Sequence, residues 1–277
     1  MNSGLQILLP VLTVAGFGLA FGIILSYAAK RFAPEVNKME EKVFSLLPAA
    51  NCGACGYAGC QAFARELVKQ GADVSRCPVM DKETQNEISR LLGVEAEEAK
   101  PKIAAVHCQG GTNCAFRAGY AGIKTCAGEY ITAPGRCACD WGCLGYGDCV
   151  EACPFEAIFM GDEGYPVVIK EKCTGCGRCV EACPKDIITL IPSMQKVYLG
   201  CRNPNNGKTV KDICKKGCIG CRLCSLPKIT PSGKVVMKGN LPDVPPDWED
   251  FDMAVEKCPG KCFVLPDKQK AKLESRV

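Results

Sequence analysis

Residues 173–186 read CTGCGRCVEACPKD, four cysteines in the pattern C-x2-C-x2-C-x3-C-P. A tight loop of this spacing aims three thiolates, Cys173, Cys176 and Cys179, at three corners of one iron–sulfur cube. The fourth, Cys183, starts a short helix that faces away and serves a second cube. Glycines in the loop let backbone N–H groups approach the sulfurs and stabilise added negative charge. Zinc sites use two C-x2-C pairs set apart, so this many thiols in a run this short point to iron and sulfide.

The second cube needs its own loop, and CACDWGCLGYGDCVEAC at 137–153, followed by Pro154, is the candidate. Cys143, Cys149 and Cys153 fall on the first, third and fourth positions, but Tyr146 occupies the second. Cys139, four residues upstream, is the expected substitute. The expected ligand sets are therefore Cys139, Cys143, Cys149 and Cys183 for one cube, and Cys153, Cys173, Cys176 and Cys179 for the other. Cys137 is left over, and an exchange of Cys139 for Cys137 between neighbouring cubes stays open.

Two further units carry the same chemistry. CIGCRLC at 218–224 fills all three loop positions, and the next cysteine before a proline is Cys258. Cys218, Cys221, Cys224 and Cys258 form the expected set. Nearer the N-terminus, CGACGYAGC and a later Cys-Pro give Cys52, Cys55, Cys60 and Cys77. Between the last two, GCQAFARELVKQG has the spacing of an amphipathic helix closed by Gly71, which brings Cys77 back to the loop. Of the 23 cysteines, seven remain. Cys108, Cys114, Cys126 and Cys137 suffice for a fifth cube. Cys201, Cys214 and Cys262 are one thiol short of a sixth. At least four [4Fe-4S] clusters are expected, with five or six open. His107, the single histidine, reads as a strand-edge residue rather than a ligand.

The elements that must hold these thiols follow from the rest of the chain. Leu5–Tyr27 is 23 residues without a charge, long enough to cross a bilayer. Only MNSG precedes it, unlike the basic start of a signal peptide. Gly16, Gly18 and Gly22 suit close packing against another membrane helix. Lys30, Arg31, Lys38 and Lys42 follow it, which directs the remaining body to the cytoplasmic side. That compartment is reducing, so the cysteines are read as metal ligands and not as disulfides. The expected organisation is an anchor at 1–29, a four-Cys unit at 30–79, an acidic helical linker at 80–101, a two-cluster ferredoxin-like module at 102–194, a second such module at 195–266 and a charged tail at 267–277. An internal repeat supports the two modules: CDWGCLG at 139–145 matches CKKGCIG at 214–220, and each follows a β-like run, KIAAVHC or QKVYLGC. AIFMGDEGYPVVIK at 157–170 reads as a hairpin and IITLI at 187–191 as a strand. The fold class is α+β: a single transmembrane helix, a small helical iron–sulfur domain, then bacterial-ferredoxin-like modules in series.

The formal charge is +4. Five cubes at roughly −2 each, thiolates included, would turn the balance to about −6, so the basic residues do not argue for nucleic acid. No G-x-G-x-x-G or Walker loop is present, and one histidine leaves no nucleophile–base pair to nominate.

The uncharged N-terminal span, NCGACGYAGC with its later Cys-Pro, and ferredoxin modules in series resemble the B subunit of the Rnf complex, an ion-translocating ferredoxin:NAD oxidoreductase. The resemblance covers nearly the whole chain, in the longer, multi-cluster version of the family. It implies a membrane-anchored subunit of a translocase, in the inner membrane with its clusters on the cytoplasmic side. Soluble ferredoxin would be its electron donor, and membrane and flavin subunits its partners. Two rivals are an anchored electron-transfer subunit of a hydrogenase or formate dehydrogenase, and a tethered zinc-binding interaction protein.

Overall fold

The N-terminal helix α1 (Ser3–Arg31) is apolar all round, and from Val11 onward its side chains are exposed on every face. A helix with that surface needs an apolar surrounding. In this computed structural model, which describes residues 3–32, 37–94, 100–132 and 135–269, it is the one helix of the described residues long and apolar enough to cross a membrane.

Three helices build the next unit: α2 (Lys38–Leu46), α3 (Cys60–Gln70) and α4 (Lys82–Leu92). Their ends are written in the sequence. Asn37 and Asp81 accept hydrogen bonds from the backbone N–H groups of Met39 and Thr84, and Gly71 and Gly93 close α3 and α4 in the left-handed conformation. Val43, Phe63, Leu67, Val74 and Ile88 form one core. The expected linker helix is thus part of this unit, held by the fully buried Ile88; residues 95–99 of that run lie outside the described residues.

Two modules of one plan follow. The first contains β1 (Lys102–Val106), α5 (Cys126–Thr132), α6 (Asp148–Glu151), β2 (Ile158–Met160), β3 (Pro166–Val168), α7 (Arg178–Glu181) and β4 (Ile188–Pro192). β1 pairs antiparallel with β4, from Lys102 opposite Pro192 to Val106 opposite Ile188, while β2 and β3 form the expected hairpin. The second contains β5 (Tyr198–Leu199), α8 (Gly207–Ile213), β6 (Val236–Lys238), β7 (Leu241–Asp243), α9 (Asp252–Lys257) and β8 (Phe263–Val264). β5 pairs with β8, and β6 with β7. In both, the first strand meets the last and a hairpin lies between. Trp248 fills the second core, with Phe251 and Phe263 edge-on to it at 6.1 and 5.6 Å.

The modules are joined more closely than an arrangement in series suggests. Ile103, Ala105 and Ile191 of the first share an apolar layer with Tyr198 and Val264 of the second. Antiparallel bridges set Cys108 opposite Cys201 and Cys114 opposite Cys214. His107 is fixed in this joint: its Nδ1 lies 2.6 Å from the Leu199 carbonyl and its Nε2 2.7 Å from the Thr189 hydroxyl. Both ring nitrogens are therefore occupied, and burial holds the imidazole below its ordinary pKa. The anticipated strand-edge role fits these contacts.

Candidate metal centres

The N-terminal thiols gather around the end of α3. Asn51 shapes the loop, its Oδ1 accepting from the backbone N–H of Cys60 at 2.9 Å. Cys55 and Cys60 pack on the same core as Cys77. Burial raises the Cys77 thiol, and the neighbouring Cys55 and Cys52 add to the effect. Tyr57 packs on the same core, its ring tilted against Phe63 at 5.4 Å and its hydroxyl accepting from the Arg76 guanidinium at 3.2 Å.

Beyond this unit, 19 cysteines surround four small cavities of about 330–370 Å³ of empty space. Among the described residues, no three His, Cys, Asp or Glu side chains converge closely enough to hold a single metal ion. Thiols spread around a space suit a multi-atom cluster better than a lone zinc, whose sulfur ligands sit at ~2.3 Å.

One cavity is lined by Cys153, Cys173, Cys176 and Cys179, the four that the spacing brings together. Ala104 N–H donates to Cys173 Sγ at 3.3 Å and Ala157 N–H to Cys153 Sγ at 3.4 Å, the outer bonds that stabilise charge on ligating sulfur. Gly175 sits at φ +71°, where a Cβ would come within 2.5 Å of the Lys102 carbonyl oxygen. Glycine is thus required for the loop to close over β1.

The next cavity differs from expectation. It is lined by Cys143, Cys149 and Cys183, but the fourth thiol is Cys126, not Cys139. Cys126 begins α5, on an insert between β1 and the cysteine loop. Asp148, beside Cys149, fixes that helix start by accepting from the N–H groups of Cys126 and Ala127 at 2.9 and 3.1 Å. Burial pushes the Cys149 thiol up to about 12, with Cys126 the first of the neighbouring thiols adding to it. Tyr146, at the position of the missing loop thiol, packs instead against the insert: Tyr120 lies edge-on at 6.5 Å and the Arg136 guanidinium 5.4 Å over its ring. No spacing rule links Cys126 to this loop; the Asp148 bonds that deliver it are tertiary.

Cys139 lines a third cavity, at the joint between the modules, together with Cys108, Cys114, Cys137, Cys201 and Cys214. This revises both tentative sets. Cys108, Cys114 and Cys137 are not joined by Cys126, and Cys201 and Cys214 are not joined by Cys262; the two remainders meet in one place. Cys108 Sγ accepts from the N–H groups of Gly110 and Cys143, each at 3.3 Å, and Cys139 Sγ from the Asn203 amide at 3.4 Å. Burial pushes Cys108 up to about 11 and Cys139 up to about 12. Such thiols become thiolates when a cation is bound beside them.

The last cavity is lined by Cys218, Cys221, Cys224 and Cys258, the expected four, with Cys262 added. The Cys258 and Cys262 sulfurs are 3.4 Å apart. Thr230 braces the loop by donating to the Cys224 carbonyl at 2.7 Å.

The cavities form a row. Cys139 and Cys143, four residues apart, divide between the joint and the Cys126 cavity; Cys214 and Cys218 divide between the joint and the last cavity. Across the first module, Cys149 on α6 and Cys153 just beyond its end, and Cys179 on α7 and Cys183 just beyond its end, split in the same way. At the other end, Cys52 of the helical unit is among the neighbours that add to the rise burial causes in Cys176.

Comparison with known proteins finds iron–sulfur families over two stretches of this chain. Residues 47–79 match an Fe-S cluster family model, and residues 138–188 match a 4Fe-4S dicluster domain. The B subunit of the ion-translocating oxidoreductase complex of Methanosarcina acetivorans is 43% identical over 259 residues, covering 92% of this chain and 97% of that relative. The chain belongs to this B-subunit family. Two other members are each 40% identical. One, from Acetobacterium woodii, is named for a Na(+)-translocating ferredoxin:NAD(+) oxidoreductase complex, and the match covers 76% of this chain and 64% of that relative. The other, from Clostridium ljungdahlii, is named for a proton-translocating one, with 79% and 76% covered. Relatives named for different ions are thus equally similar to this chain.

Proposed function

We propose that this chain is the electron-carrying arm of an Rnf-type ion-translocating ferredoxin:NAD oxidoreductase, holding five [4Fe-4S] clusters in a line. The observation that carries the reading is the row of five cysteine groups, four of them linked to the next by thiol pairs four residues apart and the fifth reaching the row through Cys52 beside Cys176. The proposed ligand sets are Cys52, Cys55, Cys60 and Cys77; Cys153, Cys173, Cys176 and Cys179; Cys126, Cys143, Cys149 and Cys183; Cys108, Cys139, Cys201 and Cys214; and Cys218, Cys221, Cys224 and Cys258. At the joint, the internal repeat selects the four, since Cys108 corresponds to Cys201 and Cys139 to Cys214. Cys258 is preferred to Cys262 because it precedes a proline, as Cys183 does.

When bound, each cube takes up and gives back one electron. The chain's own residues bury it, donate N–H groups to its sulfurs and keep neighbours close. Electrons from ferredoxin would arrive at the second module and leave through the Cys52–Cys77 unit toward membrane and flavin subunits. That unit directly follows α1, which is proposed as a single membrane span with the modules on the cytoplasmic side, supported by Lys30 and Arg31 at its C-terminal end. The charge-free span itself offers no ion path.

Iron, sulfide and zinc per chain, with EPR after dithionite on anaerobically purified protein, test the reading. About 20 irons per chain are expected for five cubes. Mostly zinc and no EPR signal would overturn it.

A further inference from the structure

Among the described residues, Cys221 is the one exposed cysteine; every other thiol is buried or half-buried. It lies at the end of the row farthest from α1. Its surroundings differ from those of the equivalent loops in the first module at three positions that the shared plan makes comparable. In the loop, Gly147 and Gly177 adopt positive φ, and the corresponding residue after Cys221 is Arg222, also at positive φ (61°). Before the Cys-Pro pair, Ala152 and Ala182 correspond to Lys257. Three residues after that cysteine, Glu156, Asp186 and Lys261 all adopt positive φ, so the same backbone position carries an acid twice and a base once.

A side chain at a left-handed position costs conformational energy that glycine avoids. Arg222 is kept there nonetheless, next to the exposed thiol. Arg222, Lys257 and Lys261 are all exposed, and each directly neighbours a cysteine of this cavity in sequence. Leu226 and Met253, 45% and 41% exposed, add an apolar rim where α9 packs on the 223–225 turn. Acidic residues are present too. Asp243 is paired with Lys238 at 2.7 Å, and helical spacing sets Asp252 and Glu256 opposite the buried Ala254, on the face next to the Met253–Lys257 flank. The first module's loop at 173–179 has one base of its own, Arg178, beside Cys179.

We propose that this collar of bases flanking the cysteines of the last cavity, Arg222 beside Cys221, Lys257 beside Cys258 and Lys261 beside Cys262, is the docking surface for an acidic one-electron carrier protein; it rests on the electron-relay reading, and the carrier is soluble ferredoxin. The chemistry of the pair supplies the argument. A carrier's cubane and its thiolates bring net negative charge to the contact in either redox state. A collar of three bases offsets that charge and orients the encounter, while the small apolar rim lets the contact be brief.

The test returns the collar to the residues of the sibling module: Arg222→Gly, Lys257→Ala and Lys261→Asp, in the complete complex. Reduction by reduced ferredoxin is followed against ferredoxin concentration and salt. The expected result is a KM raised about tenfold or more and a flattened salt dependence, with iron content and the dithionite-reduced EPR spectrum retained. As a control, Lys208→Ala with Lys211→Ala on α8 should leave KM unchanged. An unchanged KM in the triple variant, or an equal rise in the α8 control, would overturn the collar. A wild-type complex that dithionite reduces and ferredoxin does not would instead remove the donor assignment on which the collar rests.

Discussion

The two ferredoxin-like modules solve one problem differently. The second has a complete loop: Cys218, Cys221 and Cys224 reach its cavity from seven residues of chain. The first has Tyr146 where Cys221 stands, and takes its missing thiol from α5, on an insert that the second module lacks. The fold thus specifies where a sulfur must be, not which segment brings it. Where a loop lacks a thiol, a nearby helix pinned in place can bring one to the same cavity, here through Asp148.

The largest effect is expected from removing that substitute. Cys126→Ala should cost the first module one cube, about four irons per chain, read by iron analysis. Adding Tyr146→Cys, which rebuilds the loop of the second module, should restore them. Recovery without the second change would mean that Cys139 or another thiol serves this site, and that the comparison between the modules is wrong.

The joint sharpens the comparison, because the repeat there selects four of six thiols. Ser at Cys108 or Cys201 should also remove about four irons. Ser at Cys114 or Cys137 should leave the iron count intact. The opposite pattern would show that the repeat does not govern the joint.

A smaller effect separates the loop glycines. Gly175→Ala meets the Lys102 carbonyl at 2.5 Å, whereas Gly220→Ala meets that of Asn240 at 3.1 Å. Gly175→Ala should destabilise by about 1–3 kcal/mol and Gly220→Ala by less, measured as the temperature at which visible absorbance is lost. Equal shifts would mean that the two loops are equally free to move.

Much of this was legible in the residues. Three of the cysteine groupings that the structure brings together follow from C-x2-C-x2-C, Cys-Pro and the Cys60–Cys77 helix, because local spacing fixes which thiols can share a loop. The hairpin at 158–168 and the ends of α3 were legible for the same local reason. Cys126 was not, since its position depends on Asp148 and on packing between Tyr146, Tyr120 and Arg136. The joint was not legible either. The repeat showed two like modules, but not that Cys108 and Cys201 face one another across a bridge. Pairing between segments so far apart in sequence leaves no periodic trace.

That bridge has a consequence for how the protein is made. Cys108 follows the first strand of the first module and Cys214 lies in the second, so a cofactor bound at the joint would tie together chain segments that the ribosome delivers far apart in time. Closing so long a loop removes unfolded-state entropy on the order of several kcal/mol, as a long-range crosslink does. Loading of the proposed joint site would then have to wait for both modules, because Cys201 and Cys214 belong to the second, and a chain that stops before Cys201 would lack half of the proposed ligand set.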